Sequence, residues 1–151
     1  MSKSVIWTLQ NPCPTPWIKK ISKFDYNIQH HPLIQLQVND NFPTLIQQEV
    51  KKYDTLIISS PFSAQKIAST LEDKFKIFAV GEKATEILKD AGHSIIHTAH
   101  NSEELVSYIK TNIDAKILHL CSGKSDVSLW PINVDALAFY APIPNLNFNI
   151  D

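Results

Sequence analysis

The chain alternates short apolar runs with segments of helical periodicity, and this alternation constrains its fold more than any other feature. Residues 55–60 are β-branched and apolar, as in a strand that is buried on both faces of a sheet. Residues 61–74 then place apolar side chains three and four positions apart, which is typical of a helix with one buried face. The alternation continues to residue 141. Because right-handed connections through a helix join parallel strands, the sequence predicts an α/β fold with a parallel sheet.

The same patterns predict the individual elements. Asn101 and Glu104 stand at the spacing of a helix capping box, and Gly92 stands where a left-handed helix end is expected. Residues 123–133 predict a turn with one short helical turn. The predicted strands are 4–9, 33–38, 55–60, 76–81, 94–99, 116–122 and 134–141. The predicted helices are 15–24, 42–53, 61–74, 82–91 and 101–112.

Composition narrows the class of protein. Of the 151 residues, 44% are hydrophobic and 19% are charged, which is sufficient for a buried core and argues against disorder. The net charge of −1 argues weakly against a nucleic-acid surface. All 14 basic residues are lysines, so the bidentate clamp that arginine offers to carboxylates is missing. Two cysteines, no signal peptide and no long apolar run predict a cytoplasmic protein with no membrane partner.

Small polar residues follow three of the predicted strands. In an open parallel sheet, ligands bind beyond the carboxyl ends of the strands, where helix N-termini favour anions. Ordinary caps and tight turns would use the same residues, but three such ends on one edge of a sheet favour a binding cleft. The candidate binding residues are Ser59, Ser60 and Ser63 after the first of these strands, Gly81, Lys83 and Thr85 after the second, and Ser122, Gly123 and Lys124 after the third.

Other motifs carry less weight. Residues 122–125 (SGKS) end like a phosphate-binding Walker A loop, but Leu118 stands where that loop needs a glycine. No dinucleotide-binding glycine fingerprint occurs, and the neighbouring histidines diverge in direction, so we expect no cofactor and no metal site. Cys121 near His119 could indicate a thiol nucleophile, but both residues fall on a predicted buried strand and a core thiol is favoured.

Four segments in order resemble the uroporphyrinogen-III synthase family. They are YDTLIISSPFSAQKI, KIFAVGEKATEILKDAGH, NSEELVSYI and KILHLCSGKSDVSLW. The resemblance is clear over residues 53–140 and thinner before them. It implies a flavodoxin-like parallel sheet with helices on both faces, together with part of a second similar domain and a two-strand linker.

The resemblance also implies a reaction. The family closes the linear tetrapyrrole hydroxymethylbilane to uroporphyrinogen III, inverting ring D, in haem biosynthesis and without a cofactor. Tyr140 matches the family tyrosine that is thought to assist loss of the substrate hydroxyl. Backbone N–H groups at 59–63, 81–85 and 122–125 would then hold the carboxylates of the substrate.

This sequence also departs from the family pattern. Residues 8–12 (TLQNP) replace a Thr-Arg-Pro motif, Ser59 replaces a threonine, and Ala84 and Thr85 reverse a Thr-Ala pair. Family members run to roughly 250 residues, and their first domain is completed by the C-terminal part of the chain. The resemblance therefore implies either a shortened, non-catalytic binding or scaffold protein, or a piece of a longer one, as alternatives to an active enzyme.

These considerations predict three segments. Residues 1–38 are the N-terminal part of an incomplete first domain, residues 39–140 a flavodoxin-like domain, and residues 141–151 a linker or tail. The first segment has many apolar residues but too few elements to cover them. We therefore expect residues 1–38 to pack against other protein, with a homodimer as one possibility. A small-molecule tetrapyrrole is the expected ligand.

Overall fold

The computed structural model describes residues 3–146. The chain forms two compact units, of which the larger is Val38–Ala141 and the smaller combines the segments on either side of it. The predicted domain boundaries, and the idea that 141–151 is a linker or tail, remain predictions. Residues 142–144 belong to a strand, and residues 147–151 of that tail lie outside the described residues.

The smaller unit contains a two-stranded parallel sheet and one helix. Strand β1 (Lys3–Trp7) pairs in parallel with β2 (Tyr26–His30), and helix α1 (Thr15–Ser22) connects them. This is the predicted additional βαβ segment. The strand predicted at 33–38 is present as Ile34–Val38, but its predicted place as the second strand of this segment is wrong, since β2 takes that place. Residues 26–30 (YNIQH) are too short and polar to show the period of a buried strand, and Ile34–Val38 forms strand β3 of a different sheet.

The larger unit alternates helices with parallel strands. After helix α2 (Thr44–Glu49) and a 3₁₀ turn (Val50–Lys52), the chain enters β4 (Thr55–Ile58) and α3 (Pro61–Ile67). The elements that follow are β5 (Lys76–Val80), α4 (Glu82–Asp90), β6 (Ile95–Ala99), α5 (Ser102–Asn112), β7 (Ile117–Ser122), a 3₁₀ turn (Val127–Leu129) and β8 (Val134–Pro144). The predicted helix at 61–74 ends early, at Ile67.

The core of this unit lies on both faces of the sheet. On one face Ile57, Phe78 and Ile117 form a buried cluster with Leu105 and Ile109 of α5. Alternate residues along the same strands point to the other face. They are also buried, as are the inward side chains of α3 and α4, among them Leu56, Ile58, Ile77, Leu120, Ala64, Ile67, Ala84 and Leu88. The predicted α/β class, with a mostly parallel sheet and helices, is confirmed.

The order of the strands determines where a ligand can bind. In the sheet the order is β3-β8-β7-β4-β5-β6, and β4 pairs in parallel with both β5 and β7. From β4 the chain builds outward through β5 and β6, and then returns to build β7 and β8 on the other side. The direction of winding therefore reverses between β4 and β7, and a crevice forms there at the carboxyl ends of the strands.

Within the described residues 3–146, no helix is both long and apolar enough to cross a membrane.

Candidate functional site

A cleft of about 490 Å³ lies at this reversal point, and it belongs entirely to the larger unit. Its walls come from the carboxyl ends of β4, β5, β7 and β8, from the start of α5 and from the loop after β7. The lining residues are Ser59, Ser60, Val80, Asn101, Ser102, Glu103, His119, Ser125, Asp126, Leu129, Trp130 and Tyr140. Of the ten residues predicted from the sequence, Ser59, Ser60 and Tyr140 line this cleft.

Tyr140 is held in the cleft by a chain of hydroxyl groups. Its phenolic oxygen lies 2.9 Å from Ser60 Oγ, and its ring packs 4.7 Å from the ring of Phe62. Ser60 is the N-cap of α3, because its Oγ accepts a hydrogen bond from the backbone N–H of Ser63 at 3.0 Å. The start of α3 therefore fixes Ser60, and Ser60 in turn fixes the hydroxyl of Tyr140.

A second pair of polar side chains lies beside the first. Ser59 Oγ is 2.7 Å from His119 Nε2, and the imidazole packs 4.6 Å from the ring of Trp130. His119 is only 2% exposed, and within the described part of the chain its Nδ1 has no hydrogen-bond partner. Burial lowers the pKa of His119 to about 4, so this imidazole is neutral at neutral pH.

Ser63 is buried rather than exposed to the cleft. Its Oγ accepts a hydrogen bond from Ser60 Oγ at 3.0 Å and donates to the backbone carbonyl of Leu120 at 3.4 Å. The hydroxyl of Ser63 thus supports Ser60 from behind and ties the start of α3 to β7.

The residues predicted after β5 take structural positions in the described chain. Gly81 has φ = +86° and its N–H donates to the carbonyl of Ala99 at 2.8 Å. Thr85 is buried, and its hydroxyl bonds the Gly81 carbonyl at 3.1 Å and lies 2.9 Å from the hydroxyl of Thr98. Lys83 is exposed and forms a 3.5 Å ion pair with Glu86. None of the three lines the cleft, and their role in binding remains a prediction.

The residues predicted after β7 form a tight turn beside the cleft. The Gly123 N–H donates to the carbonyl of Tyr140 at 2.8 Å, which joins this turn to β8. The backbone N–H of Lys124 donates to Ser122 Oγ at 3.2 Å, while the Lys124 side chain is exposed. The next two residues, Ser125 and Asp126, are the ones that line the cleft.

The charged side chains that line the cleft are acidic. Glu103 and Asp126 are its two acidic residues, and no lysine is among the described lining residues. Hydrogen bonds from the side chain and backbone of Ser128 lower the pKa of Asp126, so that carboxylate remains charged at neutral pH. The described cleft therefore offers hydroxyl groups, a neutral imidazole and two carboxylates.

Sequence reasoning missed His119, Trp130, Asn101 and Asp126 as cleft residues, whereas Ser125 lies in the predicted segment 122–125. His119 was assigned to the core because it falls inside an apolar strand, and it is buried as expected. Only the pairing of β4 with β7, which sets Ile57 opposite His119, brings this imidazole to Ser59. Asn101 is the N-cap of α5 as its spacing to Glu104 predicted, since its Oδ1 accepts from the Glu104 N–H at 2.8 Å, while the Glu104 carboxylate accepts from the N–H of His100 at 3.1 Å.

Across the described residues, no group of three or more histidine, cysteine, aspartate or glutamate side chains could hold a metal ion. Both cysteines are free and buried, and burial raises the pKa of the Cys121 thiol.

Comparison with known protein families shows to which family the chain belongs. The family described as uroporphyrinogen-III synthase HemD matches residues 16–129. The chain belongs to the uroporphyrinogen-III synthase family. The match covers the three strand ends that were predicted as binding segments, but it stops before Tyr140. No curated protein matches the chain.

Solved structures of the family share the fold. A triple-mutant uroporphyrinogen III synthase from the extremely thermophilic bacterium Thermus thermophilus is similar with a TM-score of 0.63 at 15% identity, over 96% of this chain and 64% of that one. The wild-type enzyme in a second crystal form gives a TM-score of 0.58 at 15% identity, over 95% and 63%. The chain thus spans somewhat less than two thirds of the length of these enzymes, and at this identity the likeness shows the fold alone.

Proposed function

We propose that the chain acts as a uroporphyrinogen-III synthase, closing hydroxymethylbilane to uroporphyrinogen III with inversion of ring D. Membership of the family supports the substrate class, which is a small-molecule tetrapyrrole. The observation that carries the proposal is the Tyr140 hydroxyl, which lies at the reversal point of the sheet and is positioned by Ser60 at 2.9 Å. We further propose a cytoplasmic location and no cofactor.

In this proposal the protein accelerates the reaction mainly by positioning the substrate for ring closure. Holding the two ends of the linear substrate together removes much of the entropic cost of ring closure. Tyr140 then donates its proton to the departing hydroxyl as a general acid. The backbone segments 59–63, 81–85 and 122–125 are proposed to bind substrate carboxylates. Several of these N–H groups already donate within the fold, so the binding would depend on the remaining ones at the starts of α3 and α4. The N–H groups already in use are those of Ser63, Gly81, Thr85, Gly123, Lys124 and Ser125.

A second candidate function is a binding or scaffold protein that keeps the synthase fold without its activity. The observation that favours it is the acidic lining, because Glu103 and Asp126 would repel a substrate that carries many carboxylates. Charge repulsion of this kind weakens binding directly and is strongest where the charges lie away from water.

One assay separates the two candidates. Purified protein would be given hydroxymethylbilane, and the type III product would be separated from the type I product that forms spontaneously. An excess of type III that scales with protein concentration is the expected result. Type I product alone would contradict the synthase and favour the scaffold, and the acidic lining predicts that uroporphyrinogen III then binds weakly or not at all.

A further inference from the structure

The cleft contains two hydroxyl-centred pairs, and the proposed reaction so far uses only the pair of Tyr140 and Ser60. The other pair is Ser59 and His119, with 2.7 Å between Oγ and Nε2. Both pairs start from consecutive serines at the carboxyl end of β4, so they open into the same cleft. They differ in chemistry, because a phenol is a proton donor at neutral pH whereas a neutral imidazole can accept a proton.

His119 could simply fill space under Trp130, but its polar atoms argue for more. Within the described residues, Nδ1 of His119 and Nε2 of His97 are both buried without a hydrogen-bond partner, but of the two histidines only His119 bonds a cleft residue, Ser59 Oγ at 2.7 Å. Buried polar groups are nearly always hydrogen-bonded, so such a group calls for an explanation at the site that contains it. A phenylalanine at this position would pack against Trp130 without that penalty. The imidazole gives the cleft a base that phenylalanine could not.

The proposed reaction needs such a base. Closing the ring removes a hydroxyl from the terminal carbon of hydroxymethylbilane, and Tyr140 protonates it so that it leaves as water. The terminal carbon bonds to the α-carbon of ring D that carries the bridge to ring C, that bridge bond breaks, and the bridge carbon then bonds to the unsubstituted α-carbon of ring D. This exchange inverts ring D and leaves it cationic. A proton must leave a carbon of the ring system before the aromatic pyrrole is restored. One hydroxyl and one proton are lost, and the net by-product is one molecule of water.

We propose that Ser59 and His119 act together as the acceptor of this proton, an inference that rests on the proposed function. Ser59 Oγ takes the proton from the ring carbon while its own proton moves to His119 Nε2. The resulting imidazolium and the Tyr140 phenolate then neutralise each other by proton transfer, through Ser60 or water. Both pairs return to their starting state.

The environment of the pair suits this role. Because the proton leaves a cationic ring, which is a strong carbon acid, a weak base is sufficient. Burial disfavours the imidazolium and Nδ1 has no partner in the described chain to stabilise it, so the proton is held only briefly. At neutral pH the imidazole is neutral and ready to accept again.

The test uses the full chain with His119→Phe, Ser59→Ala and the double variant. His97→Phe is the matched control. His97 lies on the same face of the sheet as His119. The strand register places both histidines in one row across the sheet, in the order His119, Ile57, Phe78 and His97. His97 stacks on Tyr108 at 4.0 Å and does not line the cleft. Turnover of hydroxymethylbilane and the dissociation constant of uroporphyrinogen III would be measured for each protein.

We expect each single variant to lower turnover by about 10²–10⁴-fold, the usual range for loss of one proton-transfer group. The double variant should be no slower than the slower single variant, because the two residues act as a unit. Product affinity and the control should be little changed. Turnover at the wild-type level in both single variants would overturn the pair but leave the proposed function standing. Weaker product binding at unchanged turnover would also overturn it, since the pair would then only bind.

A wild-type protein that forms no excess of type III product would overturn the proposed function and this inference together. If His119→Phe does not fold, Ser59→Ala alone tests the role of the pair. Ser59 is half-buried at the cleft wall, and the substitution removes only the hydroxyl that bonds His119.

Discussion

At the residue scale, burial holds the imidazole of His119 in its neutral form. The pKa of His119 is about 4 in the folded protein, compared with 6.5 for an exposed histidine. Between these two pH values the unfolded chain binds a proton that the folded chain does not bind. The free energy of unfolding must therefore fall as the pH is lowered through this window.

His119→Phe should remove this loss of stability. Integrated over the whole window, the histidine is expected to destabilise the folded state by on the order of 3 kcal/mol at acid pH. Urea unfolding of both proteins at pH 7.5 and at pH 4.5 would measure the effect. The variant should gain stability relative to the wild type at the lower pH. Two proteins that lose stability in parallel would contradict the lowered pKa.

Tyr140→Phe should lower the rate of type III product formation while the fold remains intact. The phenylalanine keeps the packing on Phe62 but loses the hydroxyl that lies against Ser60. Loss of one general-acid contact typically lowers turnover by about 10²–10⁴-fold. Tyr53→Phe is a matched control, since Tyr53 bonds Asp135 at 2.8 Å and does not line the cleft. An undiminished rate would remove Tyr140 from the mechanism.

At the element scale, the turn between β5 and α4 depends on the backbone of one glycine. Gly81 has φ = +86° and ψ = 144°, a region that is essentially limited to glycine. A Cβ added there would meet no atom within 4 Å, so space is not the obstacle. Its N–H bonds Ala99, so the turn also joins β5 to the end of β6.

Gly81→Val should therefore destabilise the protein by about 1–3 kcal/mol through backbone strain alone. Chemical denaturation of the wild type and the variant would measure it. Gly123→Ala is the control, because Gly123 has no positive φ and its added Cβ would make ordinary contacts at 3.8 Å and 3.9 Å. Binding of uroporphyrinogen III by the folded valine variant tests the predicted ligand role, which unchanged binding would contradict.

Elements with a strong period could be predicted from the sequence, whereas the pairing between them could not. The runs around Ile57 and Ile77 are apolar enough to identify buried strands, and Asn101 marks the start of α5. Strand β2 was missed because Tyr26–His30 is mostly polar and lies in a sheet of only two strands. The contact between Ser59 and His119 depends on the register of β4 with β7, and the two residues are 60 positions apart in the sequence. Local pattern carries no information on such a register.

At the scale of the whole molecule, the two units differ in how well they cover their apolar side chains. In the described part of the smaller unit, Cys13 is the one hydrophobic residue that is buried. Helix α1 has no buried residue, and its Trp17 is 58% exposed. A unit this small buries only a small fraction of its surface and is therefore marginally stable by itself in water. The exposed residues of this unit include Ile6, Leu9, Trp17, Ile18, Phe24, Leu33, Ile34, Ile143 and Leu146.

The purified chain should therefore self-associate through residues 1–38. In a solution of one protein, a second copy of the chain is available to cover this apolar area, and large exposed apolar patches usually mark interaction sites. Light scattering over a range of concentrations should show a dimer that dissociates on dilution. Trp17→Glu should favour the monomer because it places a charge in the contact. Ile132→Glu is the control, since Ile132 is a fully exposed apolar residue that belongs to the larger unit. A wild-type monomer at every concentration, with residues 1–38 protected from proteolysis, would contradict self-association, because the segment would then be stable without a partner.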